Sequence, residues 1–402
     1  MSALSPAESA IVERSREQDS LTLVEQWSQI NSGTRNLAGL ATIADMLAQA
    51  FSVLPGTLRL LEPAPVDAIL ADGQKVMLDH GKHLHLNVRP EAPVRLLLTG
   101  HMDTVFPIDH PFQSLHWYDS ATLGGPGVAD MKGGIAVMLA ALKAVEAGPY
   151  ASRIGYEVLI NSDEETGSLS SAKLIAECAT GKLAALTYEP ALPDGTLAGA
   201  RGGTGNFSLT VRGKTAHAGR NPEDGRNAIV AAAALTLRLF EARSSGLSVN
   251  PARIDGGGPN NVVPDLAILR VNLRPQSNAE TARAQQILED AAAETAKKYE
   301  VEIAVHGGFN RPPKPIDSGA AKLFALVRTA GNDLGLEIGW RATGGVCDGN
   351  NIAACGVPVV DTMGVRGGAI HSMDEFLIVE SLAERAALSA LTISRIAEQG
   401  TL

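Results

Sequence analysis

Only three cysteines occur in 402 residues, Cys178, Cys347 and Cys355. Odd in number and lacking a C-x-x-C spacing, they exclude a disulfide framework or a thiolate zinc site and read as reduced thiols of a cytoplasmic protein. Positive charge is also short: 34 Lys and Arg against 44 Asp and Glu leave a formal charge of −10, with no Lys/Arg block. A nucleic-acid partner is therefore not expected. No uncharged apolar run reaches the ~20 residues that span a bilayer, so no membrane partner is expected either. The opening MSALSPAESAIVERSREQDS lacks the basic start and apolar core of a secretory signal. Neither a repeat nor a low-complexity linker occurs. What remains is a globular composition, 45% hydrophobic, in a chain too long for one core and long enough for two domains.

The first half alternates strand and helix signals. Residues 5–52 read as helical, with Leu21, Val24, Trp27 and Ile30 at helical spacing. The run 94–100 (VRLLLTG) has the apolar continuity of a buried central strand. Helices follow at 133–145 and near 168–178, and strands at 156–160 and toward Leu186. Such alternation implies an α/β fold with a mainly parallel sheet covered on both faces. From about Arg201 the texture changes to strands at 206–212, 266–273 and 301–306 and helices at 227–242 and 280–298. That order suggests a small α+β unit with helices on one face, closed by the Pro-rich Arg311–Pro315. The economical organisation is a larger domain from residues 1–202 and 313–402, interrupted by an inserted one at 203–312.

Chemistry-bearing residues cluster where apolar strands end. NSDEETGS at 161–168 puts Asp163, Glu164 and Glu165 side by side, and TGHMDTVFP, GGPGVADMKGG, LTYEPA and GGAIHSMDEF occupy comparable places. Ligands of open α/β sheets bind at the carboxyl ends of strands, so these segments should converge. His101, Asp130, Glu164, Glu165, Glu189 and His371 then bring together two imidazoles and four carboxylates. The mixture suits zinc, and it exceeds the needs of one tetrahedral ion. His-x-Asp adds Asp103, able to fix the His101 tautomer. The glycines of GGPGVADMKGG do not form a phosphate loop, because no Gly-Lys-Ser/Thr follows.

Together the segments GHMDTV, GGPGVADMKGG, SDEETGS, TYEP, VRGKTAHAGRNPEDGRNAI, GPNNVVPD and GGAIHSMDE resemble the M20 metallopeptidases, most of all their glutamate carboxypeptidase branch. The resemblance implies a zinc-dependent exopeptidase-like catalytic domain with a ferredoxin-like lid and dimerisation domain. It further implies two Zn2+ per subunit, replaceable by Co2+ or Mn2+. His101 and Glu189 would hold one ion, Glu165 and His371 the other, with Asp130 between them and a cis peptide after it. Asp103 would orient His101, Glu164 would act as general base, and Asp163 would be structural. His217 would serve as the lid histidine, supplied across a homodimer interface, and Arg274 and Asn261 would meet the substrate carboxylate, with Arg270 as a competitor on the same strand face. Cys347 departs from the Ser or Thr frequent in relatives and bears on substrate choice.

The expected activity is hydrolysis of an amide bond beside a free carboxylate in a small peptide or N-acyl amino acid, releasing glutamate or a similar residue. An N-acyl-amino-acid deacylase or a dipeptidase is the enzymatic alternative. A catalytically silent binding protein is the other, disfavoured because a binder has no use for the base Glu164.

Overall fold

The computed structural model describes residues 4–402. Its central sheet has six strands in the order Thr57–Leu61, His83–Val88, Ile154–Asn161, Val94–His101, Ala184–Thr187 and Val359–Val360. The last four run parallel, while the two edge pairings toward Thr57 are antiparallel. Leu96, Leu97 and Leu98 are all fully buried, as expected for a strand covered on both faces. Leu96 and Leu98 pack with Ile135 and Met138 on one side; Leu97 packs with Ile175 and Ile352 on the other. Each such leucine contributes roughly 1.5–3 kcal/mol by leaving water.

The helix Gly134–Glu146 is buried along nearly its whole length. It begins with glycine because a Cβ on Gly134 would stand 1.9 Å from the backbone oxygen of Tyr188. This close approach sets the bend Val128–Gly133, which carries Asp130, against the segment that carries Glu189. The helical opening is broken into Pro6–Arg16, Ser20–Ser28 and Leu37–Phe51. Ser5, Asp19 and Asn36 each accept a backbone N–H at a helix start, and these caps mark where the breaks fall.

Residues 204–311 form a second, antiparallel sheet in the order Leu247–Gly256, Leu266–Pro275, Thr204–Arg212, Glu302–Arg311. Helices Ala228–Glu241 and Asn278–Tyr299 cover one face, packing Leu235, Leu239 and Leu288 on Leu209 and Leu269. The β-α-β-β-α-β order is the ferredoxin-like arrangement. Among the elements the sequence pattern did not disclose, two bear on this sheet. The strand Leu247–Gly256 contains Pro251, which a sheet tolerates only at an edge, and the register shifts there. A hairpin, Val66–Ile69 with Lys75–Leu78, reaches the open face of the second sheet, where Asp67 meets His306 at 2.5 Å.

Candidate metal centre

Five segments meet at the carboxyl end of the central sheet. His101 closes its strand beside Asn161, the last residue of the neighbouring one. Glu164 and Glu165 follow in a single tight turn, and Glu189 stands two residues beyond the strand Ala184–Thr187. Asp130 lies between the two imidazoles: its Oδ1 is 3.0 Å from His101 Nε2 and its Oδ2 is 3.3 Å from His371 Nε2. His101 Nε2 is 3.8 Å from Glu189, and His371 Nε2 is 3.2 Å from Glu165. The ligating atoms of His101, Glu164 and Glu189, and separately of His101, Asp130 and Glu165, lie within 4.8 Å of one another. The Asp130–Met131 peptide is cis.

These donors fit divalent cations. Three of the carboxylates are almost wholly buried, and burial pushes Glu164 up to about 7 and Glu165 up to about 8. Conversely, hydrogen bonding to Asp130 and then Glu165 pushes the His371 imidazole up to about 11. The raised imidazole reports a carboxylate-rich place that favours added positive charge, whereas burial raises the two carboxyls by disfavouring their charged form. Imidazole with carboxylate is a zinc-type set, and one carboxylate facing both imidazoles is what a shared ligand requires.

The surrounding polar groups separate the three adjacent acids of the 163–165 run. Asp163 is spent on the fold: Ser170 N and Oγ reach it at 2.6 and 2.9 Å, and Ser171 Oγ at 2.6 Å. Asp103 has a double task. Its backbone oxygen lies 3.0 Å from His101 Nδ1, and its carboxylate accepts the N–H groups of Glu164 and Glu165 at 3.1 and 3.2 Å. Two supporting residues escaped the sequence reading. Arg311, in the Pro-rich segment, reaches Glu164 Oε1 at 2.7 Å. Glu375, buried, accepts the N–H groups of Gly127, Ala129 and Asp130 at 3.0–3.1 Å and so holds the bend that presents Asp130. Only its position four residues after His371, within the GGAIHSMDEF segment, hinted at a role.

A cavity of about 1240 Å3 runs from this cluster to the open face of the second sheet. Arg274 lines it. Arg270 does not: its guanidinium is committed to Ser208 Oγ at 2.9 Å and to the Ile69 oxygen at 2.8 Å, under the hairpin. His217 and Asn261 are exposed and stand outside the cavity lining of their own chain. Cys347 is buried at the cavity wall, its thiol 3.6 Å from Asp361 and pushed up by burial, which argues against a nucleophile. A further grouping, His85, Glu157 and Cys178, lies outside the cavity. Lys182 at 2.7 Å from Glu157 supplies its positive charge, so it reads as a structural ion-pair cluster.

Residues 97–395 match the model of peptidase family M20/M25/M40. The chain is 30% identical over 378 residues to carboxypeptidase G2 of Pseudomonas sp. (strain RS-16), covering 92% of this chain and 87% of that protein. It is also 30% identical over 288 residues to the succinyl-diaminopimelate desuccinylase of Psychrobacter sp. (strain PRwf-1), covering 66% and 69%. Its fold matches that of YXEP from Bacillus subtilis, described as a dinuclear metal binding peptidase, with a TM-score of 0.65 at 16% identity over 97% of this chain and 99% of that one. Sequence and fold thus agree with the chemistry of the strand ends, and the chain belongs to peptidase family M20/M25/M40, hydrolases of amide bonds.

Proposed function

We propose that this hydrolase uses two zinc ions to cleave an amide bond beside a free carboxylate, as a carboxypeptidase that releases glutamate or a similar residue. The observation that carries the reading is the Asp130 carboxylate set between His101 and His371, with Glu164 beside them in a cavity that also holds Arg274. His101 with Glu189 and His371 with Glu165 would hold the two ions, and Asp130 would be shared. When bound, such ions make water more acidic and offset developing negative charge. Glu164, held by Arg311, takes the proton of the attacking water and passes it to the leaving nitrogen. Arg274 grips the substrate carboxylate with its planar fork.

The carboxylates that line the cavity all belong to the metal cluster. Among the described residues, a free α-ammonium would find no acid of its own there, which favours N-acylated substrates over the dipeptidase alternative. The exposed placement of His217 and Asn261 supports a homodimer in which each subunit completes its partner's site. Val230, Leu237 and Phe240, exposed on the helix Ala228–Glu241, give such an interface an apolar seam. In this reading residues 203–312 are the lid and dimerisation domain, and 1–202 with 313–402 the catalytic one. Three free cysteines support a cytoplasmic setting. The test is a hydrolysis screen of N-acyl amino acids, dipeptides and their amidated analogues with zinc-loaded protein, scoring the amino acid released. Cleavage confined to N-acylated substrates with a free carboxylate is expected; preference for unblocked dipeptides would overturn the reading.

A further inference from the structure

The cavity is electrically divided. Its acids, Asp130, Glu164, Glu165 and Glu189, stand at the metal end, whereas the far wall carries amides and hydroxyls such as Asn206, Ser248, Asn250 and Asn272. Four arginines line it, and two are neutralised: Arg201 by Asp361 and Arg311 by Glu164, each at 2.7 Å. Among the described residues, the partners of Arg274 are neutral, Asn272 Oδ1 at 2.9 Å and the Gly344 oxygen at 3.1 Å. Arg341 has no acid within salt-bridge distance among the described residues. Asp194, on an exposed loop, is held low chiefly by the Thr196 N–H, with Arg341 a lesser influence.

Arg341 and Arg274 are joined through one short segment. Arg341 sits on the strand Trp340–Thr343, which is fixed by parallel pairing to Leu197–Arg201, and Gly344, just beyond it, anchors Arg274. Two guanidinium groups without acid partners, facing one cavity, form a surface suited to a dianion.

We propose that Arg341 reads a second substrate carboxylate, in addition to the one beside the scissile bond that Arg274 takes. This rests on the carboxypeptidase reading above. The second carboxylate belongs either to an acidic released residue or to a dicarboxylic acyl group, and the chemistry of recognition is the same.

Wild type and Arg341→Gln, both zinc-loaded, are compared on N-acetylglutamate against N-acetylglutamine and on N-succinylmethionine against N-succinamoylmethionine. The substitution should lower kcat/KM about 5–50-fold on the acid member of one pair, through KM, and leave its amide partner nearly unchanged. The pair that responds shows which side carries the second carboxylate. Because Arg341 is exposed, the difference should shrink as salt is raised. Equal loss on acid and amide, or no loss on either acid, overturns the assignment. Calorimetric titration with glutarate and its monoamide decides the matter without turnover: Arg341→Gln should weaken glutarate alone, and equal glutarate binding, or none by wild type, contradicts the proposal. Failure of wild type to hydrolyse any of the four compounds would instead remove the carboxypeptidase reading.

Discussion

Individual carboxylates in this chain do opposite jobs according to what surrounds them. Glu157 is partly buried, which alone would raise its pKa, but His85 and Lys182 more than offset this and bring it to about 2. A depressed folded-state pKa means that the stabilisation is present above the ordinary carboxylate value near 4.5 and is lost as pH falls toward 2. Glu157→Gln should therefore destabilise the fold at pH 7 by about 1–3 kcal/mol in urea unfolding. The gap to wild type should narrow between pH 5 and pH 3; a constant gap would mean that lost packing, not lost charge, explains the effect. Asp163 illustrates the limits of local reading. Its structural role followed from the family resemblance, but the serines that bind it, Ser170 and Ser171, become evident only once the turn is folded.

Elements place these residues, and their boundaries explain what the sequence disclosed. His101, Glu164, Glu165 and Glu189 each follow an apolar run that reads as a buried strand, so their convergence was legible before any fold was known. Arg311 and Glu375 were not, because each acts on a partner distant in sequence and neither belongs to a periodic pattern. The strand Leu247–Gly256 was hidden by Pro251, which reads as a break unless the edge position is known. Glu375→Gln tests the bend directly. It turns an acceptor of three N–H groups into a group that itself donates, and should weaken zinc affinity about 10–100-fold in chelator competition. Unchanged affinity would show that the bend holds its shape without Glu375. Gly134→Ala is the harsher change. Its Cβ would meet backbone at 1.9 Å, so an overpacking loss of about 1–3 kcal/mol or more is expected, with displaced Asp130. Wild-type stability and zinc binding in that variant would refute the close-approach argument.

At the scale of the whole molecule, the second sheet supplies the far wall of the cavity while leaving His217 outside it. In the proposed two-fold dimer, His217 would reach the partner's cavity. Mixing inactive Glu164→Gln with inactive His217→Ala subunits should restore roughly a quarter of wild-type activity, since about half the dimers are hybrids with one intact site. A mixture that stays dead, or a strictly monomeric protein, would contradict sharing. The proposed roles of Asp130 in holding metal and of Glu164 in moving protons do not depend on the dimer. Metal analysis of Glu164→Gln and Asp130→Ala beside wild type tests them most directly. Glu164→Gln should keep two zinc ions per chain while losing turnover about 10²–10⁴-fold, and Asp130→Ala should lose zinc. Equal loss of zinc from both variants would contradict the account.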